Sequence, residues 1–309
     1  MILIEPISPI AFSVGPLAIR WYALAYVAAF IIGFWVLKKL ANSKEQTASI
    51  AHCSLLFANS KRSFDDLFTA LILGVILGGR LGYVLFYNLP FFLANPLEIF
   101  AVWHGGMSFH GGLLGVIVAV FLFASRTGKQ QKQCEVLNVK CEIKKGENNS
   151  KLHTSHFTFR QQVKNAFGIL DLLAVVTPIG LFFGRIANFV NMEVMGRETT
   201  RPWGVVFDGA GDIVPRHPSP LYEATLEGIL LFIIMFSLWR WTKLRNKPGA
   251  LSGIFAMLYA TFRIFAEQFR QPDAQIGFLT SWGLTMGQLL SAAMFLAGAI
   301  IFAVAIKKK

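Results

Sequence analysis

Long apolar stretches separated by shorter polar connections recur along the whole chain. Seven of them approach or exceed the roughly 20 residues that a helix needs to cross a bilayer. They lie near residues 19–38, 67–88, 98–124, 168–190, 221–240, 250–268 and 287–306. The pattern predicts an all-α polytopic membrane protein with seven transmembrane helices, built as one integral membrane domain over residues 1–309.

Composition and charge support this interpretation and give the chain an orientation. Hydrophobic residues make up 54% of the chain and charged residues only 15%, whereas soluble domains are about a quarter charged. The net charge is +12, yet 21 of the 29 basic residues lie in alternate connections and at the carboxyl end. The positive-inside rule then places the amino terminus outside and the carboxyl terminus in the cytoplasm. This distribution argues against a nucleic-acid partner.

Two polar segments interrupt the apolar pattern. Residues 127–164 are rich in Lys, Gln and Asn and are predicted to be a cytoplasmic insertion. Residues 191–220 form the longest polar connection on the predicted outer side, and we expect a small external head there. Cys53, Cys134 and Cys141 all fall in predicted cytoplasmic segments, so no disulfide is expected. The cysteine spacing does not match the usual zinc sites, and we expect neither a metal nor a cofactor.

Glycines recur at four-residue spacing in three of the predicted spans. This small-xxx-small pattern lets membrane helices approach closely, so helix packing is the expected role of these residues. The sets are Gly74/Gly78/Gly82, Gly111/Gly115 and Gly180/Gly184.

Arginine accounts for all eight basic residues outside the predicted cytoplasmic segments. Its planar guanidinium can hold a phosphate through two parallel hydrogen bonds, although some of the eight are expected to be interfacial anchors. Arg185 lies in GRIANFVNMEVMGR (184–197), at the end of an apolar run, where a charge is costly. Asn188 shares its helical face, and Glu193 and Gly196 follow. The segment predicts an anion site or a structural ion pair.

A second arginine occurs in YATFRIFAEQFRQPDAQ, within the sixth predicted span. Tyr259, Arg263 and Glu267 follow at four-residue steps and therefore lie on one stripe of one helix. Mutual neutralisation of Arg263 and Glu267 is the simpler alternative. An inward arginine in each of two spans favours an anion site, and Arg80 in GGRLGYVLFYN is a candidate third member.

Histidine and tyrosine supply the remaining candidates. WHGGMSFHGG (103–112) places His110 among glycines inside an apolar run, where irregular backbone is tolerated only against protein or a cavity. His110 is therefore either a hydrogen-bonding residue between helices or a proton acceptor. Tyr22, in WYALAY, is a candidate site residue or an interfacial anchor. RHPSPLYE (216–223) predicts a helix with Ser219 as its N-cap.

These motifs, in this order, closely resemble those of bacterial prolipoprotein diacylglyceryl transferases. The resemblance extends over nearly the whole chain except about 127–166. It departs from the family in its longer insertion and in Pro220, where family members generally have glutamine. The resemblance implies a multi-pass enzyme of the bacterial cytoplasmic membrane. Its implied partners are phosphatidylglycerol and prolipoprotein signal peptides with a lipobox cysteine.

The implied reaction transfers a diacylglyceryl group to the cysteine thiol, forming a thioether and releasing glycerol phosphate. The resemblance implies catalytic roles for His110, Arg185 and Arg263, with Arg185 binding the lipid phosphate. The implied substrate-binding residues are Arg185 itself, Tyr22, Asn188, Glu193, Gly196, Tyr259 and Glu267. Arg80 is added to this set as the candidate third arginine named above. A secondary transporter or channel for an anionic solute is the alternative, although such proteins often contain paired repeats and none is evident here.

Overall fold

The structure, a computed structural model, is helical over most of its described length. It describes residues 2–4, 8, 10–14, 17–41, 61–86, 89–101, 106–108, 111–126, 159–207, 214–271, 280 and 283–307. The elements are β1 (Ile2–Ile4), β2 (Ile10–Val14), β3 (Leu17–Arg20), α1 (Trp21–Ala41), α2 (Lys61–Phe86), α3 (Leu89–Ala94), α4 (Gly111–Arg126), α5 (Phe159–Val190), β4 (Val205–Phe207), α6 (Ser219–Trp241), α7 (Ala250–Ala266) and α8 (Met286–Lys307). Short 3-10 helices cover Pro96–Phe100 and Lys243–Asn246.

The chain divides into two compact units. One comprises Met1–Lys44 and Asp171–Lys309, and the other comprises Glu45–Leu170. The prediction of one integral membrane domain stays a prediction. All the ionic contacts described below lie within the first unit.

Five of the predicted spans correspond to helices long and apolar enough to cross a membrane: Trp21–Leu40, Asp65–Leu85, Gln162–Val190, Ser219–Trp241 and Met286–Lys307. The helices at the third and sixth predicted positions, α4 and α7, are apolar but shorter. The predicted third span, 98–124, is wrong at its start, because a 3-10 helix and irregular backbone with Gly106 at φ 78° precede α4. The seven-span count and the orientation stay predictions.

Four short strands correct the prediction of an all-α chain. β2 and β3 form an antiparallel hairpin that leads directly into α1. β1 pairs in parallel with β4, so the start of the chain joins the segment predicted as the external head. These strands are rich in β-branched residues and are too short for a stable helix.

The predicted insertion lies largely outside the described residues, which resume at 159. α5 begins at Phe159, so the last part of the segment 127–164 is helical and continues without interruption into the apolar span. The three cysteines also lie outside the described residues.

Glycines let α2 and α4 pack closely within the second unit, as predicted. A Cβ built on Gly74 would lie 2.7 Å from the backbone oxygen of Gly115, and one on Gly82 would lie 2.7 Å from the Cα of Gly111. Leucines on another stripe of α2 are more than half exposed, as expected of a lipid-facing surface. They are Leu73, Leu77, Leu81 and Leu85.

The third glycine pair differs from the other two. A Cβ built on Gly180 or Gly184 meets no atom within 4 Å among the described residues. The prediction that this pair brings helices into close contact is therefore wrong for the described part of the chain. In the first unit, glycine allows close packing where α7 meets α8, at Gly253 and Gly298, and where Gly228 of α6 meets Phe182 of α5.

A buried carboxylate from α5 caps the start of α7. Asp171 accepts hydrogen bonds from the backbone N–H of Gly249 at 2.8 Å, the N–H of Ser252 at 2.7 Å and the hydroxyl of Ser252 at 2.6 Å. Gly249 precedes the helix with φ 94°, a conformation that favours glycine. Asp171 thus satisfies donors at the start of α7 that have no partner within the helix.

Candidate active site

Six ionisable side chains from α5, α6, α7 and the loop after α7 form one cluster in the first unit. The cluster holds three arginines and three glutamates, so its formal charges balance. Its members are Arg185, Glu223, Glu227, Arg263, Glu267 and Arg270. Glu223 and Glu227 are fully buried, whereas the arginines that they bind retain partial exposure.

Arg185 lies near the end of α5 and binds two carboxylates of α6. Its Nε lies 2.7 Å from Oε2 of Glu223, and its Nη2 donates to Oε2 of Glu227 at 3.2 Å. Both contacts use the Nε–Nη2 edge of the guanidinium. None of the described residues hydrogen-bonds Nη1, and the side chain is 18% exposed.

Arg263 on α7 bridges the same pair and a third carboxylate. Its Nη1 lies 3.0 Å from Oε1 of Glu223 and 3.8 Å from Oε1 of Glu227. Its Nη2 lies 2.9 Å from Oε2 of Glu267, the C-cap residue of α7, four residues later. The predicted pairing of Arg263 with Glu267 is therefore present. It belongs to a larger network, because Glu223 joins Arg263 to Arg185.

Glu267 has further partners that fix its carboxylate. The hydroxyl of Thr285 donates to its Oε1 at 3.1 Å. A Cβ built on Gly287 would lie 2.8 Å from the same oxygen, so the start of α8 can approach Glu267 only because residue 287 is glycine. Arg270 reaches the cluster from beyond α7, with its Nη1 4.0 Å from Oε1 of Glu223.

An irregular helix presents the two glutamates of α6. The segment Ala224–Leu230, ATLEGIL, is π-helical, and such segments are frequent at functional sites. Pro218 stands at the N-cap, so the prediction of Ser219 as the N-cap is displaced by one residue. The Ser219 hydroxyl instead donates to the carbonyl of Val194 at 3.0 Å, because the chain after α5 folds back against α6.

The residues after α5 form a tight structure next to the cluster. The side-chain amide of Asn188 donates to Oε2 of Glu193 at 3.1 Å, and the backbone N–H of Glu193 donates to the carbonyl of Asn188 at 2.9 Å. Met192 and Val194 adopt φ of 54° and 59°, which non-glycine residues rarely do. Such strain persists where the surroundings impose it, often at functional sites.

Gly196 is required by a close approach of two backbone segments. A Cβ at this position would clash with the carbonyl of His217 and would lie 2.8 Å from the Cβ of His217. Gly196 also forms a bridge with Arg270, a member of the ionic cluster. The predicted importance of Gly196 thus has a steric basis in the first unit.

Two tyrosines, Tyr259 and Tyr26, interact electrostatically with residues of the cluster, and a third, Tyr22, packs against Tyr26. Tyr259 on α7 is buried and interacts electrostatically with Glu227, Arg185 and Arg263. Tyr22 and Tyr26 on α1 pack with ring centroids 5.0 Å apart, and their hydroxyls lie 3.5 Å apart. Tyr26 interacts electrostatically with Arg185 and Glu193, and Tyr22 lies one helical turn before Tyr26 on α1.

Several aromatic side chains lie around His217 in the predicted head. The indole N–H of Trp203 donates to the hydroxyl of Tyr222 at 2.8 Å, and that hydroxyl lies 3.1 Å from Nδ1 of His217. Burial and the nearby charge of Arg201 lower the pKa of His217 below its usual value. The lowered pKa favours the neutral ring, whose Nδ1 can accept a hydrogen bond from the hydroxyl of Tyr222.

His110 and Arg80 are the two remaining predicted site residues. His110 lies outside the described residues, so its role stays a prediction. Arg80 belongs to the second unit, where its guanidinium donates to backbone carbonyls, among them those of Ile99 at 2.9 Å and Ala101 at 3.1 Å. It also lies over the ring of Phe92. These contacts hold the segment before α4, and the substrate-binding role of Arg80 stays a prediction.

Sequence reasoning missed Glu227 and the part that Arg270 plays in the cluster. Glu227 is an acidic residue inside the apolar run of α6, four residues after Glu223, and this spacing is a signal that two carboxylates share a face. Its two arginine partners lie 42 and 36 positions away along the chain, so no helical period connects them.

Comparison with known proteins identifies the family. The family model described as prolipoprotein diacylglyceryl transferase matches residues 9–141 and 152–304. This chain belongs to the prolipoprotein diacylglyceryl transferase family. Only a short stretch of the predicted insertion falls between the two matched ranges, and the cluster residues all lie within the second.

Curated relatives agree over nearly the full length of the chain. The phosphatidylglycerol–prolipoprotein diacylglyceryl transferase of Rhodospirillum rubrum is 46% identical over 98% of this chain and 94% of its own length. The protein of the same name from Azospirillum brasilense is 46% identical over 94% and 92%. That of Wolbachia pipientis from Culex pipiens is 43% identical over 96% and 94%.

Proposed function

We propose that this protein transfers the diacylglyceryl group of phosphatidylglycerol to the lipobox cysteine of a prolipoprotein. The observation that carries the proposal is the pair Arg185 and Arg263, drawn from two helices and joined through Glu223. Membership of the transferase family and the names of its relatives support the same reaction.

The proposed reaction breaks a carbon–oxygen bond of the lipid and forms a carbon–sulfur bond. The thiol sulfur attacks the glyceryl carbon, the bonding electron pair leaves with the phosphate oxygen, and the thiol proton is released. The products are a thioether and glycerol phosphate. A free thiol has a pKa of about 8.5, so a base or a positive field is needed to form the nucleophilic thiolate.

The two arginines can stabilise the negative charge that develops on the departing phosphate. Fixed guanidinium donors stabilise a departing phosphate without reorganisation during the reaction. Glu223 and Glu227 hold the Nε–Nη2 edge of Arg185, and we assign Nη1 as the donor to a phosphate oxygen. Arg263 is held at Nη1 and Nη2 by three carboxylates, which fix its position beside Arg185.

We assign the remaining residues to binding and proton transfer. His110 is the proposed base for the thiol. Asn188 and Tyr259 orient the head group, with Asn188 itself held by Glu193. Glu267 holds Arg263, and Gly196 allows the loop after α5 to close against His217. Tyr22 and Arg80 complete the proposed substrate-binding set.

The membrane arrangement is also part of the proposal. The protein crosses the bacterial cytoplasmic membrane seven times, with the amino terminus outside and the carboxyl terminus in the cytoplasm. The alternation of basic connections supports this orientation. Residues 191–220 then form a small external head, and residues 127–164 belong to the cytoplasmic side.

A reconstituted transfer assay tests this function and separates it from anion transport. Purified protein is incubated with labelled phosphatidylglycerol and a synthetic lipobox peptide, and the lipidated peptide is separated and counted. The proposal expects label on the cysteine peptide and none on a matched peptide in which serine replaces cysteine. Absence of labelled cysteine peptide, or equal labelling of both peptides, would overturn the transferase function.

A further inference from the structure

Glu227 is a buried acidic residue in the middle of an apolar helix. Its side chain has no exposed surface, and it lies within the π-helical segment of α6. An ionisable residue inside a membrane span is costly, so it usually faces a partner or a functional site. Glu227 therefore needs an explanation beyond the apolar packing of α6.

The carboxylate of Glu227 connects two arginines from different helices. Its Oε2 accepts a hydrogen bond from Nη2 of Arg185 at 3.2 Å, and its Oε1 lies 3.8 Å from Nη1 of Arg263. Glu223 lies 2.7 Å from Nε of Arg185. Two carboxylates therefore fix one edge of Arg185 in direction as well as in position, which a single contact could not do.

The backbone beside Glu227 is shaped to bring it close to α5. A Cβ built on Gly228 would lie 2.7 Å from the Cβ and 2.9 Å from the Cα of Phe182, three residues before Arg185. Gly228 thus allows α6 and α5 to approach at the level of the cluster. The π-helical segment and this close contact occur together where Glu227 meets Arg185.

We propose that Glu227 is a positioning residue for the transfer reaction, holding the Nε–Nη2 edge of Arg185 so that Nη1 donates to the lipid phosphate. Arg263, 3.8 Å from the same carboxylate, is kept beside Arg185 by this contact and by Glu223. The inference rests on the proposed function, because it concerns how that reaction's phosphate is held.

Glu227→Gln tests whether Glu227 orients Arg185 or only balances the charge of the cluster. The variant removes one negative charge from a balanced cluster, so attraction for the anionic lipid is kept or strengthened, while the orientation of Arg185 is loosened. We expect kcat to fall at least tenfold while KM for phosphatidylglycerol stays within threefold of the wild-type value or decreases. Glu198→Gln is the matched control, because it removes an exposed carboxylate outside the cluster, and it should keep wild-type kinetics.

Glu227→Asp provides the second test. It retains the charge but withdraws the carboxylate by one methylene, about 1.5 Å. If Glu227 fixes geometry, aspartate should also lower kcat at least tenfold. Full activity with aspartate would show that charge alone matters and would overturn the inference, as would a kcat for Glu227→Gln within twofold of wild type.

Two further results distinguish a structural role of Glu227 from failure of the proposed function. Thermal unfolding of each purified variant accompanies the kinetics. If both Glu227 variants unfold while Glu198→Gln remains folded, Glu227 is structural and the inference fails. If wild-type protein itself forms no thioether, the proposed function fails first and the inference fails with it. A working wild type with unchanged Glu227 variants overturns the inference alone.

Discussion

Replacing Arg185 with lysine keeps the positive charge but removes the geometry on which the proposed phosphate contact depends. The guanidinium spans Glu223 and Glu227 through Nε and Nη2, at 2.7 and 3.2 Å, and keeps Nη1 for a third acceptor. A lysine ammonium concentrates its three donors at one point. It cannot reach both carboxylates and a phosphate oxygen in the same arrangement.

The size of the effect follows from the contacts that are lost. Hydrogen bonds to charged groups contribute about 1.5–3 kcal/mol each. Losing one contact to the phosphate and one orienting contact, at about 1.5 kcal/mol each, removes about 3 kcal/mol from the transition state. Since about 1.4 kcal/mol corresponds to a factor of ten, kcat/KM for Arg185→Lys should fall about 100-fold.

Steady-state transfer of labelled lipid to a lipobox peptide measures this loss. Arg240→Lys is the matched control, because Arg240 is exposed near the opposite end of α6 and lies outside the cluster. Thermal unfolding should show that the Arg185 variant remains folded. Activity of Arg185→Lys within threefold of wild type would refute the argument from guanidinium geometry, since charge alone would then suffice.

Four further predictions concern other parts of the chain. His110→Asn should lower kcat more than it weakens lipid binding, and a pH–rate profile identical to the wild type would count against His110 as the base. Gly196→Ala should lower activity at least tenfold, because the added methyl would clash with the carbonyl of His217; wild-type rates would contradict this. Asp171→Ala should reduce the free energy of unfolding by about 1–2 kcal/mol through loss of the α7 cap, whereas an unchanged denaturation midpoint would exclude a capping role. The pKa of His217 in the folded state lies below its unfolded value of about 6.5. The contribution of His217 to stability is therefore present above pH 6.5 and is lost as the pH falls through the folded-state pKa. His217→Gln should reduce the drop in melting temperature caused by acid, and a drop identical to that of the wild type would refute this.

Much of the helical structure follows from the chain itself, because the length of an apolar run is a local property. The spans represented by α1, α2, α5, α6 and α8 are visible in this way. The third predicted span was wrong at its start because glycine-rich, irregular backbone precedes α4 without lowering the apolar character of the segment. Hydropathy registers composition and not helical continuity.

The strands were missed for a related reason. β1 is only three residues long, and its partner β4 is about two hundred positions away. A strand of this length has no periodicity to recognise, and its stability depends on a partner that the local sequence does not specify. The hairpin of β2 and β3 is local, yet it directly precedes an apolar helix that dominates the pattern.

Sequence reasoning predicted three members of the cluster and missed the other three. It named Arg185, Arg263 and Glu267 as site residues, but not Glu223, Glu227 or Arg270. Arg185 and Arg263 stand out because arginine is rare in apolar runs, and Glu267 shares a helical stripe with Arg263. Helical periodicity relates residues within one helix only. That Glu223 joins both arginines, and that Glu227 lies beside it, depends on how α6 packs against α5 and α7.

Product stoichiometry in vesicles containing phosphatidylglycerol tests the central claim most directly. Purified protein is reconstituted with a lipobox peptide, the thioether product is quantified by mass spectrometry, and free glycerol phosphate is measured in the same sample. The account predicts equal amounts of the two products, and neither when serine replaces the peptide cysteine. Glycerol phosphate released without thioether, or no product of either kind, would contradict it.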